Sequence, residues 1–185
     1  MINGATGTTG QIAVQIAKHL GAGRVIATGR NPDALATLRE LGADDTIDLT
    51  ADADALQDAL AAQFADGGVD IVLDYLSSSP TEVVLGAIAK SHRVAKLIRY
   101  VIAGGAAGAS TTVPTSVLGS TSLVPMGSGI GAVRIPDIVQ SATDAVQIAA
   151  SANLQIDLTE RPLAHIEHTW ATNSDRSRIV FTVEP

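Results

Sequence analysis

Asn3-Gly-Ala-Thr-Gly-Thr-Thr-Gly10 decides the reading of this chain. Before it stands Met1–Asn3, the stub of an apolar strand. After it, Gln11–Leu20 carries Ile12, Ala13, Ile16, Ala17 and Leu20 at helical spacing, until Gly21 and Gly23 stop the pattern. A glycine-rich turn between a strand and a helix is the context that gives the motif its meaning. Gly4 and Gly7 let the backbone turn tightly and approach a pyrophosphate without a Cβ in the way. Gly10 allows the helix to lie close on the sheet. The amides of Thr8, Thr9 and Gly10 open that helix and aim donors at an anion.

The rest of the chain repeats the alternation. Arg24–Thr28, Asp45–Leu49, Val69–Leu73, Arg99–Ala103 and Leu123–Met126 read as short apolar strands. Between them Asn31 caps a helix with Pro32 at its first position, closed by Gly42. Asp54–Ala65 and Thr81–Lys90 show amphipathic periods, and Gly104–Thr112 reads as a loop. Ile135–Ala152 predicts a long helix; Ile156 is extended, Leu163–Ala171 helical and Arg178–Val183 a strand. The expected fold is α/β: a doubly wound, mostly parallel six-stranded Rossmann sheet with helices on both faces, plus a short C-terminal helix-strand appendage. Residues 1–153 form the cofactor-binding domain in this reading, and 154–185 the appended segment.

Composition narrows the function. The chain has 185 residues, 46% hydrophobic and 17% charged, which describes a globular domain with a sizeable core. Aromatics are 3%, so Ala, Val, Ile and Leu must fill that core. A net charge of −7 disfavours nucleic acid as a partner. The absence of cysteine excludes disulfides, thiolate catalysis and cysteine-ligated zinc. No apolar run suits a membrane span, and no signal peptide precedes the turn, so the expected location is the cytoplasm.

Cofactor choice is read at the end of the second strand. An NAD site places a carboxylate about twenty residues after the glycine turn, against the ribose 2′-hydroxyl. Here Thr28-Gly29-Arg30-Asn31 occupies that place. Gly29 leaves room where a carboxylate would repel a 2′-phosphate, and the Arg30 guanidinium pairs with it, so the expected cofactor is NADP(H). Ligands sit outside the carboxyl ends of strands in such sheets. Leu76 and Ser77, after the fourth strand, and Ala103-Gly104-Gly105, after the fifth, are therefore candidate neighbours of the ribose and nicotinamide. His19, His92, His165 and His168 do not form a metal set, and no metal is expected. Trp170 reads as a packing anchor.

Gly4–Gly10, Leu41-Gly-Ala-Asp-Asp-Thr-Ile-Asp48, Val69-Asp-Ile-Val-Leu-Asp74 and Pro162-Leu-Ala-His-Ile-Glu-His-Thr-Trp-Ala171 with Arg178-Ile-Val-Phe181, taken together, resemble the medium-chain dehydrogenases/reductases. The closest branch is the zinc-free quinone oxidoreductase type. The resemblance implies an NADPH-dependent oxidoreductase that passes hydride directly to a quinone, an enone or an aldehyde. It also implies Arg178 near the cofactor, and association through the edge strand Leu123–Met126. It names no catalytic residue. That family carries a GroES-like substrate domain before the glycine turn. The expectation is therefore a nucleotide-binding domain that turns over poorly or not at all by itself.

Two alternatives remain open. One is a non-catalytic module sensing the NADP(H) redox state. The other is a complete atypical short-chain reductase, which also opens on a Gly-Ala-Thr-Gly-x-x-Gly turn. Its Tyr-x-x-x-Lys pair is missing, since Ser79 stands four residues after Tyr75 and Gly104 four after Tyr100.

Overall fold

The computed structural model describes residues 1–65, 68–91, 96–172 and 178–183. Its chain runs β1 (Ile2–Asn3), α1 (Thr8–His19), β2 (Ile26–Gly29), α2 (Pro32–Glu40), β3 (Asp45–Asp48), α3 (Ala53–Phe64), β4 (Ile71–Asp74) and α4 (Ser78–Lys90). There follow β5 (Ile98–Ile102), α5 (Thr115–Ser120), β6 (Leu123–Gly127), α6 (Ile135–Ser151), β7 (Leu158–Pro162), α7 (Ile166–Thr172) and β8 (Arg178–Thr182). Six strands form one parallel sheet in the order β3-β2-β1-β4-β5-β6. Chain direction through the sheet therefore reverses between β1 and β4, the switch point where doubly wound folds bind ligands.

Two apolar clusters sandwich the sheet. On one face Val14 of α1 and Leu35 and Leu38 of α2 pack on Ile2, Val25 and Ala27. On the other, Leu56, Leu60 and Phe64 of α3, Val84, Leu85 and Ile88 of α4, and Val117 of α5 cover Ile26, Ile47, Val72, Ile98 and Tyr100. Alternate residues of one strand, Ile26 and Ala27, feed opposite clusters, as the two-residue strand period requires. The local signals work as expected at α2, where the Asn31 side chain accepts from the Ala34 amide at 2.9 Å and Pro32 opens the helix.

Several elements differ from the sequence reading. Helix α1 begins at Thr8 rather than Gln11, because the glycine turn runs straight into it from Gly7. Helix α5 lies in a stretch rich in Ser, Thr and Gly with no apolar period; only its Val117 is buried, and tertiary packing forms it. The C-terminal appendage is more than a helix and a strand: β7 and β8 pair in parallel as a second, two-stranded sheet. Trp170 does not anchor packing; it stands 78% exposed on α7. Helix α6 is as long as its pattern promised but buries no residue, and Ile135, Val139 and Val146 face outward.

Candidate functional site: the glycine turn and the carboxyl edge of the sheet

Strand β1 is only two residues long, yet it sits between β2 and β4 and delivers the glycine turn to the switch point. Gly4 turns the chain at φ +83°, where a side chain is strained, and a Cβ there would stand 2.7 Å from the Leu76 side chain. Gly10 lies in the first turn of α1, and a Cβ on it would fall 2.4 Å from the Ala5 Cα; glycine is what lets helix and turn touch. A Cβ on Gly7 would meet nothing within 4 Å. Gly7 therefore serves no internal packing, and its open side is the space in front of the helix.

That helix terminus is ready for an anion. The first intrahelical bond runs from the Gln11 amide to the Gly7 carbonyl at 2.9 Å. The amides of Thr8, Thr9 and Gly10 thus lack helical acceptors. No side chain caps the end, and the first turn holds no acidic residue. Three donors without helical acceptors stand on the positive end of a helix dipole, in front of an unobstructed glycine, and make this terminus a candidate phosphate cradle.

Below the cradle lies a buried polar network that sequence reading missed. Asp74, the last residue of β4, is fully buried. Its Oδ1 accepts from the amides of Leu76 at 2.7 Å and Ser77 at 3.2 Å. Its Oδ2 accepts from Asn3 Nδ2 at 3.1 Å, Thr81 Oγ1 at 2.6 Å and Tyr100 Oη at 2.5 Å. Burial first, and then the Asp74 charge, push the Tyr100 phenol far above its ordinary range, so it remains a donor. Asn3 Oδ1 in turn accepts from Thr28 Oγ1 at 2.6 Å, and Thr28 Oγ1 accepts from the Gly4 amide at 3.2 Å. The network ties β2, β1, β4 and β5 together under the glycine turn. The Val69-Asp-Ile-Val-Leu-Asp74 stretch was legible as a strand, but the convergence of Asn3, Thr28, Thr81 and Tyr100 on its last carboxylate is a tertiary fact.

The candidates after β4 and β5 come together. Ser77 and Ser78 take φ values of 59° and 57°, unusual for side-chain-bearing residues. They are held there from several sides: Asp74 takes the Ser77 amide, Ser77 Oγ donates to the Gly104 carbonyl at 2.6 Å, and the Ser78 amide donates to Thr111 Oγ1 at 2.7 Å. The Ala103 amide donates to Asp74 O, and the amides of Ala106 and Ala107 donate to the carbonyls of Tyr75 and Leu76. Gly104 approaches so closely that a Cβ would sit 2.7 Å from the Tyr75 carbonyl oxygen. Leu76, Ser77, Ala103, Gly104 and Gly105 thus form one wall beside the glycine turn.

On the other side, Gly29 and Arg30 end β2. Gly29 is buried, Arg30 is exposed, and Asn31 spends its side chain on the α2 cap. Arg178 opens β8 in the small sheet, and its amide donates to the Asp157 carbonyl at 3.0 Å. Tyr100, one of the tyrosines weighed for proton transfer, is only 1% exposed and committed to Asp74. Among the described residues no group of three His, Cys, Asp or Glu side chains is arranged to hold a metal ion. His92 lies outside the described residues.

Comparison with known proteins agrees with this architecture. The sequence model of the zinc-binding dehydrogenases matches residues 8–145. The probable NADPH-dependent quinone reductase tdiC of Emericella nidulans is 26% identical over 98% of this chain and 53% of its own length. A mycobacterial quinone oxidoreductase superposes with a TM-score of 0.76 at 18% identity, over 97% of this chain and 55% of that one. Escherichia coli quinone oxidoreductase, solved with NADPH, gives 0.69 at 22% identity, over 97% and 56%. These structural likenesses concern the fold. The chain spans about half the length of the curated relative it matches. With three quarters of its length under the family model, the chain belongs to the zinc-binding dehydrogenase family and carries the nucleotide-binding fold of its quinone-oxidoreductase-like members.

Proposed function

We propose that this chain is the NADP(H)-binding domain of an oxidoreductase that moves hydride between the nicotinamide and a small quinone, enone or aldehyde. The observation that carries the reading is the pairing of an uncapped, acid-free helix terminus behind Gly7 with Gly29-Arg30 at the end of β2. The amides of Thr8, Thr9 and Gly10 hold the pyrophosphate. Arg30 sits where the adenosine ribose of a dinucleotide falls in this topology, and its guanidinium pairs with a 2′-phosphate. The opposite half of the dinucleotide then lies over β4 and β5, against Leu76, Ser77 and Ala103–Gly105. The cofactor supplies the hydride; the protein positions it and shields it from water.

The curated relative, named a probable NADPH-dependent quinone reductase, supports the same cofactor and substrate class. Residues 1–153 hold the cofactor in this reading, and 154–185 form a separate unit around β7 and β8, from which Arg178 reaches toward the cofactor. Pairing of two copies along β6, where Val124 and Met126 are exposed, extends the reading to a homodimer, and the cytoplasm is the location it fits. Among the described residues no helix is long and apolar enough to cross a membrane.

The test is a fluorescence titration of the purified chain with NADPH and NADH. NADPH should bind more tightly, and Arg30→Ala should weaken NADPH roughly ten- to hundredfold while leaving NADH nearly unchanged, the cost of one charge-assisted pair. Equal effects on both cofactors would remove Arg30 from the 2′-phosphate.

A further inference from the structure

Thr6 belongs to none of the positions discussed so far, yet it occupies the most crowded point of the site. A Cβ built on Gly29 would fall 2.1 Å from Thr6 Cγ2, 3.0 Å from Thr6 Oγ1 and 3.1 Å from Thr6 Cβ. The first contact is impossible while the Thr6 side chain keeps this position, and the backbone holds Thr6 Cβ close beside it. The backbone around Thr6 is itself anchored. The neighbouring Ala5 amide donates to Thr28 O at 2.8 Å, and the Thr6 carbonyl accepts from Gln11 Nε2 at 3.3 Å. Gly29 is in register with Asp48 of β3, so β2 cannot slide away either. Gly29 is therefore glycine because Thr6 fills the volume its side chain would need.

The geometry points to Thr6 as a specificity-determining residue: it bars an acidic side chain from position 29 and so keeps the ribose subsite open to the 2′-phosphate of NADPH. This rests on the NADP(H) reading above. It adds that cofactor preference is set by the pair Thr6–Gly29 rather than by Gly29 and Arg30 alone. A carboxylate at 29 would repel a 2′-phosphate and accept from ribose hydroxyls, and Thr6 Cγ2 stands in the volume that its Cβ would need.

Two measurements test the pair. In thermal melts, Gly29→Ala should lower Tm, and Thr6→Ala/Gly29→Ala should recover at least half of that loss, because the clashing Cγ2 and Oγ1 are gone. In titrations, Gly29→Asp alone should fold poorly, whereas Thr6→Ala/Gly29→Asp should fold and shift the NADPH:NADH preference toward NADH by at least about tenfold. Strictly additive Tm effects, a double variant that fails to fold, or a folded double variant with wild-type preference would each overturn the assignment. A wild-type chain with no preference for NADPH would overturn the underlying cofactor reading and the specificity role together. The Tm coupling tells the two failures apart, since it needs no cofactor.

Discussion

Asp74→Ala should be among the most damaging single substitutions outside the apolar core. The carboxylate accepts five hydrogen bonds, three of them from side chains that are almost wholly buried: Asn3, Thr81 and Tyr100. Removing it strands those donors away from water. An orphaned buried donor costs about 1–3 kcal/mol. Partial entry of water into the vacated volume places the total near the low end, at about 3–5 kcal/mol. For a domain of this size each kcal/mol lowers Tm by about 2–4 °C. A fall of about 10–15 °C is expected in a circular-dichroism melt, with a matching drop in the urea midpoint. A double-mutant cycle isolates the cause. Tyr100→Phe should cost about 1 kcal/mol in the wild type, where it breaks a satisfied bond. In the Asp74→Ala background it should be neutral or restoring, since the hydroxyl is already unpaired. If Asp74→Ala melts within about 3 °C of the wild type, or Tyr100→Phe costs the same in both backgrounds, the network is not what secures the strand ends.

Gly7→Ala and Gly10→Ala should separate binding from folding. At Gly7 a Cβ meets nothing, so Tm should hold within about 2 °C while NADPH affinity falls at least tenfold, because the methyl enters the ligand's space. At Gly10 the Cβ collides with the Ala5 backbone, so Tm itself should fall, by an overpacking cost of about 1–3 kcal/mol.

Much of this protein was legible locally because its signals are local. The glycine turn, the Asn31-Pro32 helix start and the uniform apolar runs each act within a few residues of themselves. A strand buried on both faces must be apolar throughout, and a backbone that meets a phosphate must lack a Cβ; neither rule requires knowing what lies across the sheet. The same reasoning failed where distant packing decides. Helix α5 forms around one buried Val117 in a sequence with no helical period. Trp170 carries the residue type of a core anchor but stands largely exposed on α7. Position 29 shows the division most sharply. Sequence spacing alone made Gly29 and Arg30 candidates for the ribose end of a dinucleotide site. Only the folded chain brings Thr6, twenty-three residues earlier, into the volume that a side chain at 29 would occupy. It likewise gathers Asn3, Thr81 and Tyr100 onto Asp74 from three separate elements. Periodicity and turn chemistry specify which residues face inward. Which of those residues meet is set by strand order, because parallel pairing brings the ends of β2, β1, β4 and β5 side by side however far apart they lie in the chain.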